Sequence, residues 1–238
     1  MEIKELLKST STADIFATDD ETRILVRSKD VAADESGLRT EEIPGKGAVC
    51  SRMTAHLYRL LETKGFHTAF VEEITDTESL FRREEEIPLL VTVRNYSAGE
   101  YPERTGLPEG NALPAATAEF HCTKKGLGKP FINGYDALAM KLVTEAEIEE
   151  IVKTAFHVNE VLSGYLSTKN MDLVDVTIQF ARNKDQIIVT GELSPDTMRL
   201  WDKVTHEKLD ADRFRNQLGN AADAYREVAR RLGISREQ

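Results

Sequence analysis

The stretch from Thr144 to Ser167 constrains the fold of this chain more than any other. Ile148, Ile151, Val152, Ala155, Phe156, Asn159, Leu162 and Leu166 recur at helical spacing, so the segment reads as one long amphipathic helix. Thr144 and Glu147 stand three apart at its start, the signature of a capping box. A helix with one apolar face must bury it against another layer, and the remaining patterns supply strands for that layer.

Residues 12–28 read as two strands, the first holding Ile15 and Phe16 and the second Ile24, Leu25 and Val26, turned at Thr18-Asp19-Asp20. Residues 29–47 are polar and irregular, the kind of loop that often carries function. Helical spacing returns over Ala48–Lys64, with Met53, Leu57, Leu60 and Leu61 on one face. Strands are expected at Thr68–Glu73, around Leu80 and Phe81, at Pro88–Val93 and at Thr117–Cys122, with a Gly- and Pro-rich loop over 96–115. Leu173–Phe180 and Gln186–Val189 read as a hairpin. Ala211–Leu232 reads as a closing helix with Phe214, Leu218, Ala222, Tyr225, Val228 and Leu232 on its face. This order is α+β, without regular βαβ alternation. It suggests a β-rich lobe over 1–95 and an α+β lobe over 96–238, joined as one compact unit with a ligand cleft.

The 238 residues carry a formal charge of −10, which argues against a protein that coats nucleic-acid phosphates but leaves room for a small phosphorylated ligand. Cys50 and Cys122 form no C-x-x-C, and the five histidines form no H-x-x-x-H, so no metal site is expected. No apolar run reaches the roughly 18 residues of a membrane span. The start, MEIKELLKST, lacks the apolar core of a signal peptide. These features predict a cytoplasmic protein.

Three segments have the composition of a binding site. In the first, Arg94 ends a strand-like run and is followed by Ala98, Gly99 and Glu100; a guanidinium beside flexible backbone N–H groups suits an anion, although a surface arginine and a plain turn would read the same way. The second runs from Gly191 to Asp202. It brings Glu192, Ser194, Asp196 and Arg199 together around Pro195, a set able to bind metal, orient an amine or move a proton; a polar turn with a helix cap is the equal alternative. The third, Gly45-Lys46-Gly47 before a helix, could hold a phosphate at the helix start but lacks Walker A spacing.

The same residues carry a resemblance. Arg94-Asn95-x-x-Ala98-Gly99, Ser194-Pro195-Asp196-x-x-Arg199, Lys46-Gly47, Asp175 and Asp212-Arg213-Phe214-Arg215 with Leu218-Gly219 are similar, in order and spacing, to segments of the SAICAR synthetase family. The resemblance implies a two-lobed α+β fold with antiparallel sheets and with ATP and nucleotide sites in the cleft. It further implies a ligase that activates an aminoimidazole carboxylate as an acyl phosphate and joins it to the amine of aspartate. By position, Arg94 and Arg199 are expected to hold the ribose phosphate. Ser194 and Asp196 are expected to line the substrate side, with Lys46, Gly99 and Glu100 nearby. A homo-oligomer is expected from the same resemblance.

The departures from the family pattern share a direction. Thr10-Ser11-Thr12-Ala13 lacks the lysines of the family's opening G-K-x-K, the loop Asp30–Ser36 is altered, and Gln179, Gly191 and Ala211 stand where the family has Glu, Asp and Lys. Each missing charge-assisted contact costs on the order of 1.5–3 kcal/mol. On this reasoning no cofactor is expected. The leading expectation is then an ATP-free enzyme acting on an aminoimidazole or purine-type nucleotide in specialised nucleoside biosynthesis of the coformycin or pentostatin type, with Glu192 and Asp196 as its acid–base groups. The alternatives are an ATP-dependent SAICAR synthetase using Mg-ATP, or a catalytically dead nucleotide-binding paralogue. Glu100, where the family has Ser, is expected to repel a phosphate unless it pairs with an arginine.

Overall fold

The structure of the chain, a computed structural model, describes residues 1–34 and 38–236. Strands β1 (Ile3–Ser9), β2 (Ala13–Thr18) and β3 (Arg23–Ser28) form a meander, and β4 (Val31–Ala33) with β5 (Thr40–Glu42) form a small ribbon within the polar stretch. Glu35 and Ser36 of the altered loop lie outside the described residues. Helix α1 (Lys46–Thr63) follows, then β6 (Phe70–Glu73) and β7 (Glu78–Arg82), which complete a five-stranded antiparallel sheet in the order β1-β2-β3-β7-β6.

The second sheet begins with β8 (Glu85–Tyr96), the long strand read from the Pro88–Val93 run. It continues through α2 (Tyr101–Thr105), β9 (Ala112–Cys122), β10 (Phe131–Ile132), α3 (Gly134–Ala139), α4 (Glu145–Ser167), β11 (Met171–Asn183), β12 (Gln186–Thr190) and β13 (Met198–Asp202), and the chain closes with α5 (Asp212–Arg215) and α6 (Ala221–Leu232). The order is β10-β9-β8-β11-β12, with β13 also paired to β11. These antiparallel sheets and helices are the α+β arrangement expected.

Helix α4 is the predicted amphipathic helix. The Thr144 hydroxyl accepts from the Glu147 N–H, and the Glu147 carboxylate accepts from the Thr144 N–H at 2.7 Å. Ile151, Ala155, Leu162 and Leu166 are fully buried in the core shared with β8 and β11. Helix α1 buries Met53, Leu57, Tyr58 and Leu61, and packs on β3 and β6 as well as on α6. The two sheets are stitched together where the Ala69 N–H donates to the Val189 carbonyl and the Val189 N–H donates to that of His67.

One strand has no counterpart in the sequence reading, and two expectations change. The first residues form β1, whose side chains are all exposed, so its strand carries no apolar alternation to read. Met198–Asp202 is a strand rather than part of a polar turn. The closing helix is two helices: Gln217, Gly219 and Asn220 adopt left-handed backbone at φ 56, 72 and 53°, which stops α5, and Leu218 is left half exposed. Helical spacing survives across the break because α5 and α6 each keep a buried face. No helix among the described residues is long and apolar enough to cross a membrane.

Candidate active site

A cavity of about 640 Å³ is lined by both sheets. From the first sheet come Ile15, Ile24, Val26 and Phe81; from the second come Leu90, Thr92, Arg94, Asp175 and Gln179. Two ionic clusters lie along its wall.

The first cluster is built on the register of the second sheet. Arg94 on β8 stands opposite Asp175 on β11, which in turn faces Arg199 on β13. Asp175 Oδ2 accepts from Arg94 Nη1 at 2.7 Å and from Arg199 Nη1 at 2.9 Å. Arg94 Nε donates to Glu119 at 2.8 Å, and Arg199 Nε donates to Asp212 at 2.8 Å. Arg104 pairs with the other oxygen of Glu119, and Arg215 lies 3.1 Å from Asp212. The result is a buried chain of alternating charge. Burial works against the charge on Arg199, but Asp175 and Asp212 outweigh it and leave its pKa raised. Burial also works against the Asp212 charge, and Arg199 and Arg215 outweigh it, so that this carboxyl lies below its usual range. Gly99 makes the packing feasible. Its φ is +62°, and a Cβ there would lie 2.6 Å from Arg199 Nη2.

The second cluster joins α1 to the Gly191–Thr197 turn and α6. Lys46, 1% exposed, donates to Asp196, whose other oxygen accepts from the Tyr225 hydroxyl. Ser194 donates its hydroxyl to Glu192 and accepts the Asp196 N–H at 3.0 Å. Burial alone would lower the Lys46 pKa, but the facing Cys50, Asp196 and Glu192 raise it overall. Burial, reinforced by Asp196, raises that of Glu192. The Cys50 sulfur and one oxygen each from Glu192 and Asp196 lie within 4.8 Å of one another.

The residues read from the sequence fall into two groups, Lys46, Glu192, Ser194 and Asp196 in one and Arg94, Gly99 and Arg199 in the other; Arg94, Glu192, Asp196 and Arg199 line the cavity, whereas Lys46 and Ser194 are buried and Gly99 packs against Arg199. Glu100 is exposed at the rim. Lys46 is committed to Asp196 inside the protein, where the sequence suggested a phosphate contact at a helix start. Asp175, Glu119, Asp212, Arg215 and Tyr225 received no role from the sequence. A carboxylate inside the apolar run Leu173–Ile178 was the available signal for Asp175, since a buried charge needs partners.

A cleft of this volume in an α+β fold, apolar on one flank and ionic on the other, has room for a nucleotide-sized ligand. The SAICAR synthetase family profile matches residues 7–232. The phosphoribosylaminoimidazole-succinocarboxamide synthase of Lachnoclostridium phytofermentans is 43% identical over 220 residues, 92% of this chain and 94% of that one. The enzyme of the same name from Coprothermobacter proteolyticus is 42% identical over 98% of this chain and 99% of its own. Among solved structures, the synthase of Ehrlichia chaffeensis superposes with a TM-score of 0.94 at 28% identity, covering 98% of this chain and all of that one. A SAICAR synthetase in complex with ADP superposes at 0.92 with 31% identity over the whole of both chains. The chain belongs to the SAICAR synthetase family.

These relatives overturn two expectations. Neither ATP-free chemistry in specialised nucleoside biosynthesis nor the absence of a cofactor survives: relatives about 40% identical over nearly the full length carry the name of the purine-pathway ligase, and a solved relative carries ADP. Cations are missing at several positions where the family carries them. The cavity, however, draws its lining from many segments, and Lys8 and Lys129 face it although neither belongs to the stretch that lost its lysines. Charge missing from those positions is not charge missing from the site.

The residues present fit Mg-ATP. Ile15, Ile24, Val26 and Phe81 offer an apolar wall for a base, Lys8 and Lys129 offer cations, and Glu192 and Asp196 offer oxygen donors. A hard cation takes oxygen ligands and is commonly held by one or two carboxylates plus phosphate oxygens. Of the Cys50, Glu192 and Asp196 group, the two carboxylates rather than the Cys50 sulfur would suit Mg²⁺.

Proposed function

We propose that the chain is an ATP-dependent carboxylate–amine ligase of purine biosynthesis, joining the carboxylate of a phosphoribosyl-aminoimidazole to the amine of aspartate to give the succinocarboxamide. The observation that carries this reading is the similarity at 40–43% identity, which extends over 92–98% of the chain.

In this reading Mg-ATP supplies the phosphoryl group that activates the substrate carboxylate. Glu192 and Asp196 would hold the metal. Lys46 and Tyr225 fix Asp196 from behind, so its oxygens keep one orientation. Arg94 and Arg199 orient the ribotide, and their pairing with Asp175 pre-sets both guanidinium planes before any ligand arrives. The apolar flank formed by Ile15, Ile24 and Val26 keeps water from the activated carboxylate.

The test is turnover of the purified protein with ATP, Mg²⁺, the aminoimidazole carboxylate ribotide and L-aspartate. ADP and the succinocarboxamide should appear one for one, and omission of any component should stop both. Absence of both products, together with no rise in the unfolding midpoint on adding Mg-ATP, would sink the ligase reading.

A further inference from the structure

The floor of the large cavity is one face of the second sheet, and strand alternation decides which side chains reach it. Leu90, Thr92 and Arg94 on β8 and Asp175, Thr177 and Gln179 on β11 project there at every second position. On β9 the same face carries Glu119, paired with Thr92, and His121, paired with Leu90. Two strand residues span about 7 Å, so His121 stands about that far along the floor from the carboxylate that holds Arg94.

Of the five histidines, His121 alone lines this cavity among the described residues. It is half-buried, and its ring meets that of Phe131 edge-on at 5.8 Å between centroids, which fixes the plane of the imidazole. Neither ring nitrogen is spent on a hydrogen bond among the described residues, and neither is sealed from solvent. Burial favours the neutral ring and holds its pKa below the ordinary 6.5; Glu119 and Glu100 pull the other way, and Arg94 and Arg104 add to the effect of burial. Lys8, Lys129 and Glu86 line the same cavity. At pH 7 the imidazole is a neutral base.

The ligation has a requirement that the residues described so far leave unfilled. An amino acid presents an ammonium at neutral pH, which has no lone pair until it gives up a proton. Glu192 and Asp196 would be occupied by the metal, and Asp175 by two guanidinium groups. We propose that His121 is a further catalytic residue, the general base that takes a proton from the ammonium of the amino-acid co-substrate so that its nitrogen can attack the activated carboxylate. The identity of that co-substrate rests on the ligase reading. One imidazole nitrogen accepts the first proton and frees the lone pair. The C–N bond forms as the C–O bond to the phosphate breaks. The phosphate leaves with that electron pair and carries off the second nitrogen-bound proton, and the imidazolium returns its own to solvent.

The experiment uses the whole chain as wild type, His121→Gln and His121→Phe, the last of which keeps a ring against Phe131. Each is followed over about pH 5 to 8, where a histidine titrates, with saturating ATP, Mg²⁺ and ribotide and varied L-aspartate. The series is repeated with hydroxylamine in place of aspartate, an amine already neutral at pH 7 that traps the activated carboxylate as a hydroxamate. Wild-type kcat/KM for aspartate should rise with pH to a plateau, with its midpoint below 6.5, because the base must be neutral. Both variants should lose about a hundredfold or more on the plateau, the lower end for positioned proton transfer, and should lose that limb of the profile. Hydroxamate formation, which also reports that each variant is folded, should stay within about threefold of wild type, and KM for ATP and ribotide within about twofold. Equal losses with aspartate and hydroxylamine would overturn the assignment, and so would a variant that keeps the wild-type rate and pH profile; both results leave the ligase reading intact. A wild type that makes neither ADP nor succinocarboxamide sinks the ligase reading and this base with it.

Discussion

Replacing Asp175 by Asn should destabilise the protein by about 3–5 kcal/mol, the range for breaking a buried ion pair from one side. One oxygen of Asp175 receives both Arg94 and Arg199, and the three side chains are 3%, 7% and 11% exposed, so solvent screens the pair of contacts little. Asn keeps the shape and one acceptor but removes the charge that offsets two guanidinium groups. Each arginine then loses one of its carboxylates and keeps the other, Glu119 or Asp212. A chain of 238 residues shifts its unfolding midpoint by roughly 2–4 °C per kcal/mol, which gives a fall of about 6–20 °C, read by calorimetry at neutral pH. Asp175→Asn in an Arg94→Met background should cost measurably less, because one of the two stranded charges is gone. A midpoint within 2 °C of wild type would refute the reasoning, since it would mean that the network is solvated and contributes nothing through Asp175.

Other residues give sharper local tests. Gly99→Ala forces a side chain into left-handed backbone and onto Arg199; it should lose about 1–2 kcal/mol from the backbone alone and weaken ribotide binding, seen as a raised KM for the ribotide at unchanged KM for ATP. Glu147, whose pKa is pushed down to about 2 by its hydrogen bonds to Arg182 and its place in the capping box, contributes stability above pH 4.5 that is lost as pH falls toward 2. Glu147→Gln should flatten that acid limb and cost about 1–2 kcal/mol at pH 7 in urea unfolding. Asp210 is pushed up to about 7 by burial and by neighbouring Asp212, so between its ordinary value near 4 and pH 7 the folded state holds the extra proton. Stability therefore falls as pH rises through that window, and Asp210→Asn should remove this slope in midpoint-versus-pH curves whatever its absolute offset.

Much of the site was legible because its residues sit in compositionally unusual segments. Arg94 closes a strand of apolar residues, and Glu192 to Arg199 crowd charge around a proline; both remain conspicuous without a structure. What those side chains do was not legible. Arg94 and Arg199 read as free anion receptors, yet each is held by carboxylates from strands or helices far along the chain. Lys46 read as a phosphate ligand, yet it meets Asp196, 150 residues away. ATP dependence was misread for the same reason: cations missing at Thr10–Ala13 and Ala211 do not count Lys8 and Lys129, which line the cavity from other positions.

The sequence by itself determined the elements. Periodicity and capping residues act within a few positions, so α4 with its Thr144–Glu147 box, α1, the β2–β3 meander and the long β8 followed from local pattern. Tertiary structure decided the partners. Strand register placed Asp175 between Arg94 and Arg199, and left-handed backbone at Gln217–Asn220 split the closing helix so that α5 delivers Asp212 to Arg199 while α6 delivers Tyr225 to Asp196. Electrostatic pairing depends on distance in space, and the fold alone converts separations of tens of residues into contacts of about 3 Å.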